Sequence, residues 1–245
     1  MLCTAPYKGS RDRSGKNPPK CMPVLFMITI LLFAFSGEAP CDEHPRCLKL
    51  GASATIEHAV AGSGVEEAEV LARLVYAESI STGYPDDVLV YEAIAWGVMN
   101  RVRLAEASLS KRKLYGSGIR GVIFMKGQFN PAVSKRSQFS KEFLCPSDPV
   151  RWRMAREAAG KALQGEGNPF LSTPWEKEHG LSLVTGFYYP DSIQAKSPLA
   201  PWEKSKGLRF IGDAHINGAR LPGDKVRFYR LTSPPRDLKP VPKAQ

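Results

Sequence analysis

Residues 71–102 read LARLVYAESISTGYPDDVLVYEAIAWGVMNRV, and this stretch decides the fold. Leu71, Leu74 and Val75 recur at helical spacing, and Glu78 falls one turn further along the same face. The pattern predicts a helix over 65–79, with Ser63 and Glu66 as a capping box at its start. Ser-Thr-Gly-Tyr-Pro breaks that helix. Asp86 or Asp87 then caps a second one, VLVYEAIAWGVMNRV. Its best stripe is Val88, Tyr91, Ala95, Val98 and Val102, but it is apolar on several sides and is expected at the centre of the core.

A glutamate in the last turn of a helix usually reaches water. Glu78 instead projects toward the core side, at the negative end of the helix dipole, with no basic residue one turn before it on that face. Burial and the dipole both disfavour the carboxylate, so both raise its pKa. An unpaired buried acid keeps its proton rather than bear the cost of desolvation. A proton-holding carboxyl beside a Gly-containing break is what a general acid for glycosidic cleavage requires.

Outward from this core the chain changes character. Residues 105–117 are polar and basic and read as a surface loop. GIRGVIFMKGQFNP, 118–131, reads as a short helix ending near Met125 and then a Gly turn. Asp148-Pro149 opens a helix that ends at Gly165. Beyond it, LSLVTGFYYP, LRFIGDAHI and KVRFYRL read as short strands between Pro and Gly turns. Helices followed by a small sheet give α+β in one domain, mainly helical with a small C-terminal antiparallel sheet.

The N-terminal side is of another kind. PVLFMITILLFAFSG, 23–37, is an apolar run behind Lys8, Arg11, Arg13, Lys16 and Lys20. It is short for a transmembrane helix and fits a secretory signal, cleaved near Ser36 or Ala39, with an uncleaved anchor as the alternative. The basic leader is long, so a true start other than Met1 is also open. Residues 1–36 are thus expected to be a signal, 37–63 a linker, 64–232 the folded domain and 233–245 a loose tail. After cleavage Cys41, Cys47 and Cys145 remain; a Cys41–Cys47 bridge would leave Cys145 alone. The histidines are scattered and no Cys/His cluster or HExxH occurs, so no metal and no cofactor is expected. The formal charge of +10 suits an anionic polymer, whether nucleic acid, membrane surface or acidic cell wall.

LARLVYAES, MNRV, IRGVIFMKGQFNP, GFYYP, then PW, IG and RFYR, in this order over about 66–230, resemble the bacterial spore-cortex-lytic (cell-wall hydrolase) family. The Y-A-E, N-R-V and G-Q-F blocks together carry the likeness. The resemblance implies a lysozyme-like fold and cleavage of peptidoglycan glycan strands, with the glutamate of Y-A-E, Glu78, as catalytic residue. It departs from the family in residues 190–225, which are longer, and in showing no separate peptidoglycan-binding domain. Gln128 and Phe129, an amide and a ring after Gly127, suit sugar hydroxyls and a sugar face, or form an ordinary turn over a buried ring. Asn100 braces the site or caps a neighbouring segment. Tyr188 and Tyr189 alternate on a strand, so one faces in and one out; Tyr188 is the substrate-binding candidate. Trp96, Trp152 and Trp202 are expected in the core. Asp86 and Asp87 are expected as caps and Glu92 at the surface, leaving no second carboxylate. That favours lytic transglycosylation, with hydrolysis open. The expected partner is peptidoglycan outside the cytoplasm, for a monomeric chain with no membrane span once the signal is cut. The alternatives are a catalytically inactive glycan-binding envelope protein and a nucleic-acid binder. No RNP, zinc-finger or helix-turn-helix signature supports the latter.

Overall fold

Two long helices and a third laid across them make the frame. In this computed structural model, which describes residues 44–238 apart from Ser53 and Glu166, α2 (Glu67–Ser81) and α3 (Val88–Ala107) are joined by the Gly83 turn. Asp87 caps α3 by accepting from the Leu89 N–H at 3.1 Å; Asp86 instead bonds Arg151 at 2.9 Å. Every residue of α3 from Val90 to Val102 is buried, as its apolar girth demands. Val88, at the start of the predicted stripe, is exposed. α8 (Pro149–Gln164) packs on both. Asp148 accepts from Val150 and Arg151 N–H at one end, and left-handed Gly165 closes the other. Its predicted boundaries are therefore those observed.

The expected linker is different. Its described part carries α1 (Ile56–Gly62), capped by Thr55, and buries Leu48, Ile56 and Val60 in the core. Ser63 ends α1, its Oγ donating to the Val60 carbonyl, and Glu66 makes no side-chain cap on α2. The predicted capping box therefore does not form. Cys47 is bonded to Cys145 rather than to Cys41, which lies outside the described residues with the expected signal segment. Arg73, fully buried, reinforces this junction. It pairs with Glu69 at 2.7 Å and donates to the carbonyls of Arg46, Phe143 and Leu144. Buried carbonyls need such donors, and one guanidinium serves three.

The expected basic loop is also helical. α3 runs on to Ala107, and α4 (Leu109–Tyr115) begins at once, capped by the Ser108 hydroxyl. Asp237 of the expected tail accepts from Ser108 and Ser110, which fixes 233–238 against this junction. Short helices α5 (Gly118–Phe124), α6 (Asn130–Val133), α7 (Ser140–Leu144) and α9 (Pro174–His179) complete the helical part. The strands are β1 (Val184–Tyr188), β2 (Leu208–Phe210), β3 (Ala214–Ile216), β4 (Ala219–Leu221) and β5 (Arg227–Leu231). They form an antiparallel sheet in the order β1-β5-β2 and a β3-β4 hairpin. Asn217 and Gly218, both at positive φ, make the hairpin turn. Glu92, expected at the surface, is buried and ties α3 to Lys161 of α8 and to Asn217 of the hairpin. The result is α+β, with the sheet laid against α3.

Candidate active site

β1 approaches α3 at Gly97, where a Cβ would stand 2.9 Å from the Phe187 ring. This close approach brings the last turn of α2, the C-terminal half of α3 and the end of β1 around one groove of ≈ 650 Å³. Glu78 lines it and is 6 % exposed. Burial pushes its carboxyl up to about 7, opposed by the Tyr189 hydroxyl and by the charge of Arg101. The Tyr189 hydroxyl has no partner at ordinary hydrogen-bond geometry, so its contact with Glu78 is a loose one. Its phenol is itself raised well above the usual value, by burial and by Glu78.

Arg101 is the residue that sequence reasoning passed over. Its Nε donates to the Thr185 carbonyl at 2.6 Å and its Nη1 to Gln128 Oε1 at 2.7 Å. The guanidinium lies 4.8 Å from the ring centres of both Phe129 and Phe187. Burial lowers its pKa, but an arginine stays charged. It thereby supplies a fixed positive charge that favours Glu78 once the proton has left. The N-R-V block held this residue in view, next to Asn100; nothing in its spacing pointed to Glu78.

The other candidates separate. Gln128 and Tyr188 line the groove, Gln128 held by Arg101 and by the turn at left-handed Gly127. Phe129 is buried and supports Arg101 from behind, so it presents no face to a sugar. Asn100, also buried, donates to the Val184 carbonyl and accepts from Asn168, which ties α3 to β1 rather than reaching the groove. Tyr188 and Tyr189 both line the groove because β1 ends between them, and the expected alternation stops there. Trp96 and Trp152 are in the core; Trp202 lines the groove edge-on to Tyr188.

The long segment after β1 forms one wall, through Ser192, Gln194, Ala195, Pro201 and Trp202. It is held by Tyr84 on Asp191 and by the Tyr188 hydroxyl donating to the Ser197 carbonyl. Among the described residues Glu78 is the only carboxylate lining the groove. Asp86 is engaged with Arg151, and Asp87 with the α3 N-terminus and Lys225. No group of three or more His, Cys, Asp or Glu among the described residues is placed to hold a metal ion, and no helix among them is long and apolar enough to cross a membrane. No family model, curated protein or solved structure matches the chain. The fold and the site therefore define it only as an α+β protein whose groove, among the described residues, is lined by one acid of raised pKa.

Proposed function

We propose that the chain is an exported, lysozyme-like enzyme that cleaves peptidoglycan strands between N-acetylmuramic acid and N-acetylglucosamine. The observation that carries this is Glu78, its carboxyl pushed up to about 7 by burial, and the lone carboxylate lining its groove among the described residues. Such a group donates its proton to the glycosidic oxygen as the bond to C1 breaks. The carboxylate left behind faces the positive charge of Arg101. It then takes the proton of the sugar's own C6 hydroxyl as O6 attacks C1. That attack is intramolecular, with the entropic advantage of a tethered nucleophile. A paired-carboxylate hydrolase uses a second carboxylate to hold water or to attack C1. The groove's other polar groups, Gln128 and Tyr188, suit sugar hydroxyls, and its aromatic wall suits sugar faces. The Cys47–Cys145 bond favours an oxidising compartment, in keeping with export.

The test is digestion of purified cell walls by wild type and Glu78→Gln. Wild type is expected to release 1,6-anhydromuramic ends, lighter by one water than reducing ends, as read by mass spectrometry. Glu78→Gln is expected to lose roughly 10²–10⁴-fold in rate with the fold intact. A Gln variant that clears walls at the wild-type rate would defeat the assignment. Reducing ends alone would leave Glu78 as the acid and make the enzyme a hydrolase.

A further inference from the structure

The chain leaving β1 does more than line the groove: it crosses the end at which Glu78 stands. The groove follows β1, from Thr185 at one end to Tyr189 at the other, about 13 Å apart at strand spacing. At the Thr185 end the Tyr115 hydroxyl donates to Thr185 Oγ1 at 3.1 Å. Leu114, which also lines the groove, is 53 % exposed, so this end opens to solvent. At the Tyr189 end stands Glu78, and Ser81, the last residue of α2, lies only about 4.5 Å further along the helix axis. Here the chain makes two successive turns. Ser192 N–H bonds the Tyr189 carbonyl at 3.3 Å and Ala195 N–H the Ser192 carbonyl at 2.8 Å. The first is seated on the turn that follows α2: Asp191 accepts from the Tyr84 hydroxyl, and a Cβ on Gly83 would stand 3.5 Å from the Asp191 carbonyl oxygen. The second reaches the opposite wall. Gln194 donates at 3.5 Å to Ser137 Oγ, in the turn between α6 and α7 whose flanks, Pro131 and Phe139, line the groove. Behind these contacts the segment is pinned again, by the Tyr188 hydroxyl on the Ser197 carbonyl and by Glu203 on Arg227 at 2.8 Å. Residues 189–195 therefore run from the sheet side to the helical side across the groove.

We propose that residues 189–195 bar the groove just past Glu78, so that the substrate is the end of a glycan strand and not its middle. This rests on the glycan-cleaving reading and adds the substrate class to it. A strand enters at the Thr185 end, lies along β1 and stops against the bar. To continue past Glu78 it would have to part Gln194 from Ser137 and lift Asp191 off the Gly83 turn. Only a short run of sugars fits beyond the bond that Glu78 cleaves. Each cut then releases one short fragment and leaves a new strand end to advance. The bar lies within residues 190–225, the stretch in which the chain is longer than the family it resembles.

The experiment follows the lengths of long, purified glycan strands during digestion by the full chain, using size-exclusion chromatography with mass spectrometry. Wild type is compared with the double variant Tyr84→Phe/Gln194→Ala, which frees both sides of the bar. Thermal melting checks that the variant folds; if it does not, Gln194→Ala alone, at an exposed position, takes its place. Wild type is expected to release short fragments from the start while the remaining strands keep their length. The variant is expected to raise the yield of intermediate-length fragments about tenfold, equivalent to roughly 1.4 kcal/mol. Intermediate lengths appearing early with wild type, or a folded variant with the wild-type product pattern, would overturn the bar while leaving Glu78 as the acid. Failure of wild type to cut either strands or purified walls would instead overturn the glycan-cleaving reading.

Discussion

A carboxyl that titrates near neutrality couples folding to pH. An unfolded glutamate releases its proton at its ordinary value of 4.5, whereas Glu78 in the folded chain holds on to about 7. Between these values the folded state binds more protons, so stability falls as pH rises through the window and stays reduced above it. Glu78→Gln removes that cost. The variant is expected to match wild type at pH 4 and to exceed it at pH 8 by up to about 3 kcal/mol. Urea melts at the two pH values check this; a difference independent of pH would mean that the carboxyl is not held protonated. The place of Glu78 could be read from the i, i+3, i+4, i+7 spacing alone. Arg101 and Tyr189 could not be found that way. They meet Glu78 only because α3 packs on β1, a contact 84 positions apart along the chain, and local periodicity carries no information on it.

That packing depends on Gly97. A methyl there meets Phe187, whose ring lines the groove and supports Arg101. Gly97→Ala is expected to cost about 1–3 kcal/mol through overpacking, despite the better helix propensity of alanine. It should also lower activity by displacing Arg101. Gly160→Ala in α8 is the control: nothing lies within 4 Å of its added Cβ, so about 0.5–1 kcal/mol of stabilisation with unchanged activity is expected. Thermal melts and wall-lysis rates of the pair distinguish the two. Which elements could be read followed from their signals. α8 carries a proline start, an aspartate cap and a glycine stop. α4 was hidden by its basic composition, although Ser108 is a sound cap. The one strand expected over LRFIGDAHI is two, β2 and β3, in different sheets and parted at left-handed Gly212, and the Asn-Gly turn at 217–218 pairs β3 with a β4 not expected from the sequence.

At the scale of the molecule, the segment before α2 is part of the domain rather than a tether. Its composition is that of a linker, and its buried apolar residues Leu48, Ile56, Val60 and Val65 are too few and too widely spaced to declare a period. Its hold on the body is both non-covalent, through core burial and the Arg73 bond to the Arg46 carbonyl, and covalent. The Cys47–Cys145 bond spans 98 positions, and closing a loop of that size in the unfolded chain contributes about 2–5 kcal/mol. Cys47→Ser/Cys145→Ser, or wild type in reductant, is expected to lose that much in chemical denaturation, with Glu78 chemistry kept below the new melting point. Stability unchanged by reductant would mean that the two sulfurs are not joined. The same bond also sets how the protein bears tension. A pull from the N-terminal side enters at Cys47, crosses to Cys145 and passes on toward α8. Residues 48–144 lie on the slack branch of that path. Glu78, Arg101 and Gln128 all belong to them, so a chain dragged by its leading end carries its groove floor unloaded.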